Sequence, residues 1–409
     1  MSEKIGIIAS GVTLKASTPN CKTTGIESVK VSETSLKFSL RGIHYIKPFY
    51  DISFYLLTTT FTLKWDSGRK EFHIVEYLPQ KISVIILLTL QLVYMVVVCA
   101  SAILKLSSNK NDLQHLFKTA RDVISVFTNI MMLYTALSEK HHFNSLIATM
   151  KRKVSRYHFK ISQTFWPYVF IVGIQVGNMV RNVLCTNGSE EMLSMAFAYL
   201  PCVLEENTIF YSALSWVASL ICIHMTVVFL NYQFFNLSFV LLYRANVKSF
   251  VETLRNVSDQ SRNLMLLEEY LELKSLLNSI NQCIQANFLS LFLSIVPLLS
   301  YFMSYFSEIP AYRLAIYISW VIVIIGILFI AADANALAAD IKKILVERKR
   351  IFEKVCADPS DVYTMLMDMT NGSEIGISCF GCFTISYSSM GTVILNTITF
   401  AIILIQAKD

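Results

Sequence analysis

Seven stretches of the chain are apolar for about the length a bilayer requires, and polar clusters separate them. A helix crosses about 30 Å of hydrocarbon in about 20 residues. The first run, Ser83–Leu104, carries no charge. The second, Thr119–Ser138, has Arg121 and Asp122 at its start, and the third, Gln163–Leu184, has Arg181 near its end. The fourth begins near Thr208, and no Asp, Glu, Lys or Arg occurs from Asn207 to Tyr243. That run exceeds a bilayer's need, so its helix is predicted to continue past the membrane. The fifth is Ala286–Phe306, the sixth Leu314–Ala332 and the seventh Gly391–Ala407. The pattern predicts an all-α, polytopic membrane protein with seven transmembrane helices.

The segments between the runs set the expected divisions. Residues 1–44 are polar and are expected to form a cytosolic tail. Residues 45–80 are expected as an amphipathic pre-membrane helix. Within it Tyr45–Leu63 is aromatic and amphipathic, and Lys47 and Asp51 argue for an interfacial helix rather than a span. Residues 81–335 hold six spans, 336–390 a cytosolic region and 391–409 the last helix. Arg244–Gln285 places Leu264, Leu267, Leu271, Leu276 and Leu277 at helical spacing, as Asp340–Val355 does with Ile341, Ile344, Leu345, Ile351 and Phe352. These read as helical extensions of the spans that assemble below the membrane. Ile375–Met390 reads as the first half of the last helix, broken at Gly391.

Composition and charge give this reading a direction. The 409 residues are 54% hydrophobic and 16% charged, against about a quarter charged in a soluble domain. The net charge of +6 sits in clusters beside apolar runs, the pattern of cytoplasmic loops and not of nucleic-acid binding. Lys140, Lys151, Arg152, Lys153, Arg156 and Lys160 form one such cluster, and Lys342, Lys343, Arg348, Lys349 and Arg350 another. Cys185–Asn207 contains no Lys or Arg but has Glu190, Glu191, Glu205 and Glu206. The asymmetry places the N-terminus inside and the C-terminus outside, although Lys105, Lys110 and Lys118 run against it. That orientation is opposite to a G-protein-coupled receptor's. The outside loop then holds a glycosylation sequon at Asn187 and a candidate disulfide between Cys185 and Cys202.

Candidate chemistry is sparse. Cys379 and Cys382 form a CxxC with no second pair or His cluster beside it, so no metal or other cofactor is expected. No nucleophile triad, phosphate-cradling loop or paired intramembrane carboxylate appears, and no enzyme is expected. His224 reads as packed. On the last helix Asn396, Thr399, Ile403 and Gln406 recur at spacings of three, four and three, with Ile402 at the edge of this stripe. A polar stripe facing hydrocarbon is costly, so it is expected to face protein or water. Two readings stay open at this point: amides bonded within one subunit, or amides lining a shared pore.

The run Thr399-Phe400-Ala401-Ile402-Ile403-Leu404-Ile405-Gln406-Ala407 resembles the C-terminal signature of insect gustatory receptors. That signature is Thr-Tyr, five hydrophobic residues, then Gln-Phe. Phe400 stands for the Tyr, and Ala407 departs from the terminal Phe. Phe383–Met390 and Ile46–Tyr50 resemble the family's approach to its last helix and its pre-membrane helix. The resemblance implies a taste receptor that is a subunit of a tetrameric, ligand-gated, non-selective cation channel in the plasma membrane, assembled from like or related subunits. It implies a central pore lined by the last helix, with Asn396, Thr399, Ile402, Ile403 and Gln406 as candidates. It also implies a tastant pocket in the outer half of each subunit, where Asn178, Tyr211, Trp216, Tyr301, Tyr317 and Trp320 are the candidates. An odorant receptor of the same superfamily, a G-protein-coupled receptor and a transporter are the alternatives.

Overall fold

The computed structural model describes residues 47, 50–51, 53–66, 71–108, 113–152, 173, 177, 209–256, 263–304, 311–355, 364, 366–367, 370, 376–379 and 383–406. Helices dominate. They are α1 (Leu78–Ser108), α2 (Leu113–Arg152), α3 (Ile209–Asn256), α4 (Asn263–Ser304), α5 (Ala311–Val355) and α6 (Tyr387–Gln406). Two antiparallel hairpins complete the described elements. One pairs β1 (Phe61–Asp66) with β2 (Glu71–Glu76), and the other pairs β3 (Ser378–Cys379) with β4 (Phe383–Thr384).

The long helices are the apolar runs with amphipathic extensions attached. Helix α3 runs 48 residues, through the charge-free stretch and on past Arg255. Helix α4 begins at Asn263, so both the fourth and the fifth runs carry helical extensions into Arg244–Gln285. Helix α5 carries the sixth run without interruption into Asp340–Val355. Helix α2 packs along α4, α3 along α5, and α6 against α4. One continuous core joins them, centred on buried residues such as Tyr243, Leu254, Tyr270, Leu273, Ile284 and Leu345. The third run lies outside the described residues, apart from helical Gly173 and Gly177.

Among the described residues, Leu78–Val97 and Val321–Glu347 are long and apolar enough to cross a membrane. Val126–Thr135 and Tyr387–Ile403 are shorter apolar stretches. Helix α1 buries little of its apolar surface: Ile82, Ile85, Ile86, Leu90, Val93, Val96 and Ile103 are all exposed. A continuous apolar face of this kind is stable only under lipid or another protein.

The segment expected as one helix over Tyr45–Leu63 takes a different form. Its described residues between 47 and 55 are helical, but the chain turns at Leu57 and returns as β1. Leu57 has φ 56°, a left-handed conformation that costs a branched side chain energy, and the surrounding contacts hold it there. Leu57 N–H donates to Phe54 O (3.2 Å) and Thr58 N–H to Ser53 O (2.9 Å). From α3, Asn231 donates to the Ser53 hydroxyl and to Thr58 Oγ1 (2.7 Å). The ring of Tyr50 lies 4.5 Å from Phe143 of α2 and 4.6 Å from Phe235 of α3. The turn is therefore wedged inside the bundle, and its non-helical backbone is covered by protein. Strand β1 then alternates buried Phe61 and Leu63 with partly exposed Thr62 and exposed Lys64, the period of a strand and not of a helix.

The hairpin is tied to the bundle by charge. Glu76 Oε2 accepts from Lys140 Nζ of α2 at 2.7 Å, and Oε1 lies 3.5 Å from Lys81 Nζ of α1. The hydrogen bond from Lys140, helped by the positive charge of Lys140 and Lys81, holds the Glu76 carboxyl below its ordinary value. A carboxyl lowered on folding stabilises the fold above the unfolded value of about 4.3 and loses that contribution as pH falls through the folded value. The pair is partly solvated, so Glu76→Gln is expected to cost no more than about 1 kcal/mol at pH 7. The gap between the two melting temperatures should narrow steadily as pH falls below about 4.3, and a gap that did not narrow would exclude this linkage.

Candidate functional site

Helix α6 starts from a built foundation. Ser386 caps it: Ser389 N–H donates to Ser386 Oγ (3.1 Å), and Ser386 N–H donates to Ser389 Oγ (2.8 Å). This reciprocal pair satisfies amides that a helix start leaves open. The helix thus begins at Tyr387 and passes through Gly391 unbroken, which corrects the expected break there. Ile375–Met390 is likewise not the first half of that helix. It holds the paired strands β3 and β4, with Ser378 opposite Thr384 and Cys379 opposite Phe383. Cys379 is buried on β3.

Two asparagines fix that hairpin to the bundle. Asn335 of α5 donates to Ile377 O (3.1 Å) and Ile385 O (2.7 Å) and accepts from Ile377 N–H (2.7 Å). Asn281 of α4 donates to Gly376 O (3.1 Å) and accepts from Ser378 N–H at 3.4 Å. Gly376 is required by this closeness, since a Cβ there would lie 2.7 Å from Thr384 Cγ2 and 3.2 Å from the Asn335 amide. Edge-to-face ring pairs flank the clamp: Phe383 lies 5.0 Å from Phe292 of α4, and Tyr387 lies 5.8 Å from Phe329 of α5. Periodicity gave no sign of Asn281 or Asn335. A signal existed only at Ser386 and Ser389, a hydroxyl pair three apart just before an apolar run.

Beyond the clamp, α6 buries one narrow stripe. Met390, Thr397 and Ala401 are buried and Val393 packs on the core. Ser300 Oγ of α4 donates to Thr397 O at 3.2 Å. The sequence-predicted stripe is elsewhere: Asn396, Thr399, Ile402, Ile403 and Gln406 are all exposed. At 100° per residue its centre lies about 180° from the buried stripe. The Thr399 hydroxyl donates to Leu395 O of its own helix (2.9 Å). Asn396 and Gln406 therefore point away from the rest of the chain, together with the apolar Leu395, Ile402 and Ile403.

The other predicted residues are placed less fully. Tyr211 and Trp216 lie in α3, Tyr301 in α4, and Tyr317 and Trp320 in α5, so their backbones are helical as expected. Asn178, Asn187, Cys185 and Cys202 lie outside the described residues. His224 sits in α3 within 3.3 Å of the Gln91 amide nitrogen on α1, a packed polar contact between two helices. Among the described residues no group of His, Cys, Asp or Glu is arranged to hold a metal ion.

No protein-family profile matches this sequence, and no curated protein does. Solved structures do. The insect olfactory receptor OR5 from Machilis hrabei superposes with a TM-score of 0.63 at 10% identity, over 90% of this chain and 99% of the receptor. The same receptor in complex with eugenol gives a TM-score of 0.59 at 10% identity, over the same shares. At this identity the likeness is one of fold, and it takes in almost the whole of both chains. The protein has the fold of an insect olfactory receptor.

Proposed function

We propose that the chain is a chemosensory receptor that is itself a channel: one subunit of a tetrameric, ligand-gated, non-selective cation channel of the plasma membrane. The observation that carries this reading is the outward stripe of α6. A helix that buries Thr397 and Ala401 on its own subunit and leaves Asn396, Thr399, Ile402, Ile403 and Gln406 uncovered needs a partner surface or water on that side. Fourfold repetition around an axis supplies both, and places amides and isoleucines along a central path. Gln406 sits at the outer mouth, with Ile402 and Ile403 as the hydrophobic constriction. Seven spans, with the N-terminus inside, put that mouth in the extracellular fluid. In that orientation Asn187 is a glycosylation site and Cys185 and Cys202 form a disulfide in the outer loop.

The ligand is a small, partly polar organic molecule, received between aromatic side chains in the outer half of the bundle. Asn178, Tyr211, Trp216, Tyr301, Tyr317 and Trp320 are its candidate contacts. The Thr399–Gln406 signature favours a tastant and a gustatory receptor. The shared fold with an olfactory receptor solved with eugenol favours a volatile ligand, so an odorant receptor stands as the second reading. A panel containing sugars, bitter compounds and volatile phenols, read by calcium influx, separates the two. Neither reading calls for a cofactor, a catalytic group or nucleic acid.

The test is current from the purified chain in a planar bilayer, where no G protein exists. Gln406→Glu is expected to change relative calcium permeability by about fivefold, since one added charge near a permeating ion is worth about 1 kcal/mol. Conductance and selectivity identical to the parent would remove α6 from the pore. Labelling of an N-terminal tag on intact cells would overturn the orientation.

A further inference from the structure

Helix α6 contains one glycine in its interior, and its surroundings do not ask for one. Gly391 is exposed, and a Cβ built on it meets no atom within 4 Å. Gly376 is the contrast, because there a methyl group would collide with Thr384. An interior glycine loosens a helix relative to alanine through backbone entropy. The next residue adds to this: Thr392 Oγ1 donates back to Ser388 O at 3.1 Å. Such back-bonding weakens the ladder and bends helices, and glycine beside a hydroxyl residue is a common site of kinks.

The anchoring of α6 changes at the same point. Before Gly391 the chain is held by Asn335, Asn281, the Ser386–Ser389 cap and the buried side chain of Met390. Met390 N–H also donates to Ser386 O at 3.0 Å. After Gly391 the helix is held to the bundle by Val393, Thr397 and Ala401 and by the hydrogen bond from Ser300 to Thr397 O. A hydrogen-bonded foot and an arm packed against α4 meet at this glycine.

We propose that Gly391 is a pivot about which residues 392–406 swing on the clamped foot, carrying Asn396, Thr399, Ile402, Ile403 and Gln406 with them. Bending there strains the hydrogen bonds that cross the glycine, those of amides 391–395, and leaves the cap and hairpin undisturbed. The motion belongs to the chain itself. Its consequence, opening and closing of a path, rests on the channel reading above.

Hydrogen exchange on the purified full-length protein in phosphatidylcholine nanodiscs tests the motion directly. Amides 392–395 should exchange faster than amides 397–401. Gly391→Ala, which fits the open space and favours helix, should slow exchange at 392–395 by about fivefold, the factor that matches the helix-propensity difference. Exchange at 377–379 should not change. Uniform protection along α6, or exchange unaltered by Gly391→Ala, overturns the pivot. Spontaneous openings in a planar bilayer then test its consequence. Gly391→Ala should lower open probability by a similar factor with single-channel conductance unchanged, and an unchanged open probability removes the role in gating. A parent chain that passes no current fails the channel reading, while the exchange result still decides the pivot.

Discussion

Replacing Asn335 with leucine will cost the protein about 3–4 kcal/mol and free the start of the last helix. The side chain is almost fully buried and serves three backbone groups at once, Ile377 N–H, Ile377 O and Ile385 O. Leucine fills similar volume but satisfies none of them. Each buried backbone group left open costs about 1–3 kcal/mol, and the pairing of Ile385 N–H with Ile377 O at 3.0 Å depends on the same geometry. The measurement is thermal unfolding of the detergent-solubilised protein, with a fall of roughly 5 °C or more expected. Asn335→Asp separates the hydrogen bonds from shape. It keeps the size and the acceptor for Ile377 N–H, but loses both donors and buries a charge, so it should fare no better than leucine. A leucine variant as stable as the parent would mean that the clamp does not hold α6.

That clamp was also the part of the molecule least visible in the sequence. The long helices were legible because apolar residues repeat at helical spacing for 20 residues or more, a signal that tertiary contacts rarely overturn. The extension of α3 past its apolar run was legible for the same reason. The stripe on α6 was legible as a pattern, but its direction was not: spacing says which residues share a face, never what that face meets. Tyr45–Leu63 was misread because a short helix and the start of a strand, joined at a left-handed Leu57, together imitate one amphipathic helix. Glycine or asparagine would have marked that turn, and leucine does not. The break expected at Gly391 failed because the true helix start is a cap made by Ser386 and Ser389, four residues before the end of the segment assigned to the first half. Asn281 and Asn335 act on residues about 40 to 100 positions away in sequence, and no local pattern reports a contact of that range.

Asn231→Leu is expected to release the turn at Leu57 and to cost about 2–4 kcal/mol. Asn231 is fully buried in α3, and its amide supplies donors to the hydroxyls of Ser53 and Thr58. Thr58 Oγ1 in turn donates to Ser53 O at 3.0 Å, so one amide organises the backbone on both sides of the turn. The turn needs that support, since a leucine at positive φ costs about 1–2 kcal/mol on its own. Tyr232 OH, which reaches Thr58 O at 3.4 Å, is too long a contact to replace it. Once Asn231 is gone, strain and open hydroxyls act in the same direction. The turn should withdraw from between α2 and α3 while the helices themselves persist. Limited proteolysis will read this as new cleavage near Leu56 and Leu57, and circular dichroism will show little loss of helix. Asn231→Asp discriminates hydrogen bonding from packing: it preserves size yet cannot donate, so it should expose the same site. If both variants resist cleavage as the parent does, the seat of the turn lies in the contacts of Tyr50 with Phe143 and Phe235. Tyr50→Ala would then produce the cleavage that the asparagine variants did not.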